Sequence, residues 1–170
     1  MNESDNALPP SLTLLQRREI EAAIVGPLVR AFAKRFGEGP VRETLAEVIR
    51  ELARERGESM ACELGANDLE TFAGTIGTWT AGGALELNVI ESGPQSLSFD
   101  VTRCRYAEMY RRLGLEDLGA TLSCLRDFEL AAGFNRDISL ERTQTLMEGA
   151  THCDFRFRNE DESGTGSKPS

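Results

Sequence analysis

Residues 84–102 read ALELNVIESGPQSLSFDVT, and this stretch decides the fold. Up to residue 83 the chain is patterned like helix. From Ala84 apolar side chains return every second residue, in two runs separated by Gly93-Pro94. Steps of two put alternate side chains on opposite faces of a strand, and Gly-Pro is turn chemistry. The stretch therefore predicts a β-hairpin behind a helical N-terminal half.

Working outward, Leu14, Leu15, Ile20, Ile24, Leu28 and Phe32 recur at steps of about four, an amphipathic stripe capped by Ser11 or Thr13 and expected to face the core. Pro27 falls inside it, which predicts a kink or break near Gly26-Pro27. A second helix is expected from Pro40 to Arg56, stopped by Gly57, then a short one over 58–65 and another after Asn67. Beyond the hairpin the pattern turns helical again, from Cys104 to Leu113 and from Leu115 to Ala132. The segments DISLERTQTLMEG and HCDFRFR then read as a second hairpin, turning at Gly149-Ala150-Thr151. Helices, two strands, helices and two strands make an α+β fold: an antiparallel sheet of about four strands with helices packed on one face. Residues 11–158 form one domain, mainly helical over 11–83 and sheet plus helices over 84–158. Residues 1–10 and 159–170 read as polar, disordered tails, the second one acidic.

The 170 residues suffice for one domain with a real core, and 40% apolar with 28% charged residues is ordinary globular composition. A net charge of −9 argues against nucleic acid and against anionic lipid surfaces. No apolar run approaches the roughly 20 residues needed to span a bilayer, and the first residues lack a signal peptide's pattern. The expected compartment is the reducing cytoplasm. Cys62, Cys104, Cys124 and Cys153 are then free thiols, nucleophiles or metal ligands rather than disulfides.

The chemistry-bearing residues gather late in the chain. On a regular final strand Cys153, Phe155 and Phe157 share one face, with His152, Asp154, Arg156 and Arg158 on the other. Cys153 is a buried apolar thiol or a reactive one. His152, the only histidine, is a solvated turn residue or an acid/base group near neutral pH. Cys104 starts a helix straight after a strand, where the macrodipole, Arg103 and Arg105 favour thiolate, although a structural cysteine fits the position almost as well. Cys124, Asp127 and Phe128 share a helix face. Arg142 and Gln144 interrupt an apolar row on the third strand, so that face is a pocket or a bulge turns them out. In a pocket, Arg142 is a natural anchor for a substrate carboxylate. Glu148 and Asp154 flank the hairpin turn, as acid/base groups or as surface charges. No phosphate loop, G-x-S-x-G, H-E-x-x-H or dinucleotide fingerprint is present.

The segments CRYAEMYRRLG (104–114) and LSCLRDFELAAGFNRDISLERTQTLMEGATHCDFRF (122–157) resemble the L-2-amino-thiazoline-4-carboxylic acid hydrolase family. The likeness covers most of residues 13–158, and RREIEAAIVGPLVRAFAKRFG carries it more weakly. More distantly the chain resembles four-vinyl-reductase-like small-molecule-binding domains, which implies a pocket between sheet and helices. The first resemblance implies a hydrolase that opens a small cyclic amidine at a carbon–nitrogen bond; the namesake substrate gives a carbamoyl-cysteine. It implies two site chemistries. Either Cys104, Cys124 or Cys153 attacks, with His152 as base, or Cys104, Cys124 and Cys153, or His152 in place of one of them, hold a divalent zinc, iron or copper ion that activates water. Asp127 or Asp154 would protonate the leaving nitrogen, with Arg142, Gln144 and Glu148 binding substrate. The second resemblance implies a non-catalytic binding or sensing domain. The partner expected is a small molecule, with no nucleic acid or membrane; the apolar hairpin faces permit a homodimer.

Overall fold

The computed structural model describes residues 12–160, and among these six α-helices and four strands follow one another along the chain. The two expected tails lie outside the described residues, apart from Asn159 and Glu160. Helix α1 spans Leu14–Phe36 and α2 spans Glu38–Leu64. Helix α3 spans Leu69–Thr80, strand β1 Leu85–Ser92 and strand β2 Ser96–Cys104. Then come α4 (Arg105–Arg112), α5 (Glu116–Gly119), α6 (Leu125–Phe134), β3 (Ile138–Glu141) and β4 (Cys153–Asn159).

The four strands form one antiparallel sheet in the order β1-β2-β4-β3. The hairpin expected over 84–102 is present, with Leu97, Phe99 and Val101 of β2 turned inward. In β4 the inner face is Cys153, Phe155 and Phe157, all buried, while Asp154 and Arg156 stand on the other side. The inner face meets α3 through aromatic packing. Phe72 lies 5.2 Å from both Phe134 and Phe157, and Phe99 stacks on Phe155 at 5.0 Å. Edge and offset contacts of this kind add stabilisation beyond the buried area itself.

Three expectations for the helices are corrected. Helix α1 runs unbroken through Pro27, although Thr13, one of the two caps expected, does cap it, accepting a hydrogen bond from the Gln16 N–H at 3.3 Å. Its greasy row also faces outward: Ile20, Ile24, Leu28 and Phe32 are about half exposed, while Ala22, Gly26 and Val29 are buried. Helix α2 runs through Gly57 and takes in the segment expected as a separate helix. Gly57 marks a crossing point there. A Cβ on it would sit 2.3 Å from the Leu130 carbonyl oxygen of α6, and one on Gly133 would sit 2.2 Å from the Arg54 carbonyl oxygen. Two facing glycines let the backbones of α2 and α6 touch, and that contact outweighs glycine's poor helix propensity.

The helix expected over 115–132 is also interrupted. Between α5 and α6, residues Ala120–Cys124 widen into a π-turn, a feature that often accompanies functional sites. The third strand stops at Glu141. Residues 142–152 form a long connection with a single 3₁₀ turn, Leu146–Glu148, instead of a tight hairpin turn.

Candidate functional site

Where α1, the π-turn, α6 and the inner face of the sheet meet, they enclose a cavity of about 130 Å³. A cavity of about 150 Å³ holds benzene, so this one suits a five- or six-membered ring with small substituents. Apolar side chains make much of the wall, among them Leu14, Trp79, Leu85, Val101, Met147 and Phe155. Into it the fold brings Cys104 from the end of β2, Cys124 and Asp127 from the π-turn and α6, Arg142 from just past β3, and Cys153 from β4. Five of the nine residues singled out in the sequence thus converge on one space.

Arg142 is the most enclosed charge there, its side chain only 5% exposed. Its Nη1 donates to Asp127 Oδ2 at 2.5 Å, and its Nη2 donates to the Cys124 carbonyl oxygen at 3.0 Å. The guanidinium lies between two rings, 4.8 Å from Phe128 and 4.9 Å from Phe155. A buried cation needs such a set of partners. One donor is left over: the buried Nε has no hydrogen-bond partner among the described residues. Burial pushes the Asp127 carboxyl above its ordinary range, against the opposing pull of Arg142. Asp127 retains 23% side-chain exposure, and only its Oδ2 is engaged by a described hydrogen bond.

The thiols are not poised as thiolates. Cys104 does sit at the N-terminus of α4, its Sγ accepting from the Ala107 N–H at 3.4 Å. Burial outweighs that hydrogen bond and pushes the thiol up to about 11. The arginines expected to help are engaged elsewhere. Arg103 pairs with Glu108 at 2.8 Å, and Arg105 donates to the Gly82 carbonyl oxygen at 2.9 Å. Burial pushes Cys124 up, with the Asp127 carboxylate adding to it, and burial also raises Cys153 despite a 3.2 Å hydrogen bond from the Leu146 N–H. The expectation of a thiolate at Cys104 is therefore corrected: desolvation dominates the helix terminus.

The other four candidates are not among the cavity's wall residues. His152 and Gln144 meet each other in the 142–152 connection, with Gln144 Nε2 2.8 Å from His152 Nε2. Glu148 closes the local 3₁₀ turn, accepting from the Thr145 hydroxyl at 2.8 Å. Asp154 fastens the connection to β4. It accepts from the Thr143 N–H at 3.0 Å, the Thr143 hydroxyl at 2.6 Å and the Gln144 N–H at 2.9 Å. Burial raises the Asp154 carboxyl, but these hydrogen bonds prevail and it lies below its ordinary range. Among the described residues no group of three or more His, Cys, Asp or Glu side chains is placed to hold a metal ion. Neither the three-cysteine set that the resemblance implied nor the set with His152 in place of one cysteine is thus assembled, and the His152 ring meets Gln144 instead.

Among the polar wall residues, Arg18, Arg56, Tyr106, Ser123 and Arg126 were not singled out as site candidates in the sequence. The Tyr106 hydroxyl donates to the Trp79 carbonyl oxygen at 3.1 Å, and burial holds its pKa up at about 12. Arg126 had a usable signal, being next to Asp127 on a helix. Arg18 had one too, four residues after Leu14 and four before the buried Ala22.

The model of the family described as L-2-amino-thiazoline-4-carboxylic acid hydrolase matches residues 17–157, so the chain belongs to that family. No curated protein matches it. Among solved structures it is similar to a trafficking protein particle complex subunit 3 from Naegleria fowleri, determined covalently bound to palmitic acid. That likeness has a TM-score of 0.51 at 11% identity, over 85% of this chain and 96% of that one. It is also similar to the phenol-responsive sensory domain of the transcription activator PoxR, determined with phenol. The TM-score is again 0.51, at 10% identity, over 81% of this chain and 74% of that one. At such identities the likeness establishes the fold alone. No helix among the described residues is long and apolar enough to cross a membrane.

Proposed function

We propose that this member of a hydrolase family opens a small cyclic amidine, of the 2-amino-thiazoline-4-carboxylate kind, by cleaving its ring carbon–nitrogen bond inside the cavity. The observation that carries the reading is Asp127: a carboxyl raised by burial, anchored through one oxygen, in a space of single-ring size. A raised carboxyl is a better base near neutral pH than a solvated one, and its protonated form is a usable acid.

The chemistry is addition followed by elimination. Water attacks the amidine carbon, forming a C–O bond while Asp127 takes one of its protons and the C=N electron pair moves onto the ring nitrogen. The tetrahedral carbon re-forms a double bond, to oxygen, as the C–N bond breaks. Both hydrogens of the water end on the departing nitrogen, one of them by way of Asp127. The free Nε–H of Arg142 is a donor available for the oxygen that gains charge. With its thiol near 11, Cys104 holds thiolate in only about one molecule in ten thousand at pH 7. That favours water over cysteine as the attacking group and leaves the three thiols as soft, apolar wall.

The test is incubation of the purified chain with 2-amino-thiazoline-4-carboxylate, following the carbamoyl product by mass spectrometry. Turnover is expected, and Asp127→Asn is expected to lower kcat by about 100-fold or more. Cys104→Ser, Cys124→Ser and Cys153→Ser are each expected to keep at least a tenth of it. A cysteine variant as dead as the Asp127 variant would return the attack to the thiol.

A second reading, a binding or sensing domain without turnover, draws on the largely apolar wall and the absence of a ready thiolate. The similar folds determined with palmitic acid and with phenol support it as well. Saturable binding of the same compound with no product would select it.

A further inference from the structure

Arg142 was the natural sequence candidate for holding a substrate carboxylate, yet its charge is already answered by Asp127. Two other guanidinium groups on the same wall have a single carboxylate between them. Arg18, from the second turn of α1, and Arg126, from the first turn of α6, both line the cavity, with side chains 18% and 16% exposed. Both turn to the same anion. Arg18 Nη1 lies 2.5 Å from Glu21 Oε2, and Arg126 Nη2 lies 3.7 Å from that same oxygen. Arg126 Nε donates to the Leu122 carbonyl oxygen at 2.8 Å, which holds its plane in place.

The charge balance decides what this pair awaits. Two cations share one oxygen of one half-exposed carboxylate, leaving about one positive charge uncompensated. The two arginines also oppose each other: burial lowers the Arg126 pKa, and Arg18 lowers it further. Elsewhere on the wall Arg142 is balanced by Asp127, and Arg56 is paired with Glu63 at 2.7 Å. Like charges held together in a partly desolvated place gain most from one anion between them, and guanidinium groups fit a carboxylate through paired donors.

We propose that Arg18 and Arg126 form a carboxylate subsite at one side of the cavity, selecting a small ring acid whose reacting carbon is then presented to Asp127. The proposal rests on the hydrolase reading for its second half only. Arg126 and Asp127 are adjacent on α6, so one helix turn carries both the anchor and the acid/base group. The ligand class is a monocarboxylate on a five- or six-membered ring: the cavity of about 130 Å³ sets the single ring, and the arginine pair sets the carboxylate.

Two measurements on the full chain test this. Kinetics compare 2-amino-thiazoline-4-carboxylate with 2-amino-thiazoline, which lacks the carboxylate. Arg18→Gln and Arg126→Gln are expected to lower kcat/KM for the acid by about 10- to 100-fold, mostly through KM, and to lower it far less for the compound without the carboxylate. Arg126→Lys should recover part of the loss. Equal losses on both compounds would overturn the subsite while leaving the hydrolase reading intact. Calorimetric titration with thiophene-2-carboxylate and thiophene-2-carboxamide needs no turnover. Preference for the acid, lost in Arg126→Gln with an unchanged melting temperature, supports the subsite even if no hydrolysis is found. Equal affinity for acid and amide, or binding of neither, overturns it.

Discussion

Asp127 and Asp154 stood level in the sequence as acid/base candidates, and the structure sends them opposite ways. Asp127 lies on the cavity side, where burial outweighs the pull of Arg142 and its carboxyl is raised. Asp154 lies on the other face of β4, where three hydrogen bonds from Thr143 and Gln144 hold it lowered. The same residue type is a raised carboxyl on a cavity wall in one place, where the proposed reaction uses it to carry a proton, and a structural clasp in the other. What differs is the count of donors aimed at the carboxylate, set against the water taken away. The cavity wall is where chemistry is supported, and the 142–152 connection is the brace that delivers Arg142 and Cys153 to it.

The comparison is broken most severely from the cavity side. Arg142→Ala removes the only described ion-pair partner of Asp127 and the guanidinium stacked between Phe128 and Phe155. An expected loss of about 3–5 kcal/mol in unfolding free energy follows, measured by urea denaturation. The wild-type protein should also show the sign of the Asp127 shift. Its folded carboxyl is raised, so the native state favours the proton. The contribution of this group therefore falls as pH rises from the ordinary carboxylate value through the folded one. A loss below about 1 kcal/mol in Arg142→Ala would mean that the pair is not the keystone described.

Asp154→Ala comes next in size and should touch stability rather than chemistry. Removing the acceptor for three donors is expected to cost about 1–3 kcal/mol near neutral pH, with kcat unchanged once the protein is folded. Here the linkage has the opposite sign. The folded carboxyl is lowered, so its stabilisation is complete above the unfolded value near 4 and is lost as pH falls through the folded one. The gap between wild type and variant should therefore close in acid, as followed by thermal melts across pH 3–7. A gap that stays constant into acid would assign the loss to packing rather than to the carboxylate.

The two faces of β4 also show how far the sequence could be read. Period-two alternation placed Cys153, Phe155 and Phe157 inside, because strand geometry leaves little choice. The α+β class followed from the same change of period at Ala84. Helix α1 was harder. Two rows run along it about half a turn apart, Ile20-Ile24-Leu28-Phe32 and Arg18-Ala22-Gly26, and hydrophobicity alone selects the first. The structure buries the second, since small residues permit close approach, and with it carries Arg18 to the cavity. Gly57 misled for the same reason: it reads as a stop, yet it is the contact point with Gly133. The convergence of three cysteines with Asp127 and Arg142 depends on contacts between α6 and the sheet that no local pattern encodes. Their raised protonation is a consequence of that burial and equally out of local reach.

The smallest expected effect belongs to the residue that the sequence made most conspicuous. His152 is the chain's only histidine and sits beside Cys153, Asp154 and a run of aromatic and arginine residues. In the fold its ring turns to Gln144 Nε2 at 2.8 Å and to the Thr151 hydroxyl, 3.1 Å from Nδ1, outside the cavity wall. Those contacts link one part of the connection to another, and Asp154 already fastens that segment to β4. His152→Ala should therefore change kcat/KM by no more than about threefold and stability by about 0.5 kcal/mol. It should also leave the pH–rate profile in place, because the limb governed by a carboxyl raised at Asp127 does not depend on the imidazole. A profile that loses that limb in His152→Ala would move the base from α6 to the connection. The two faces of β4 would then exchange the roles assigned to them.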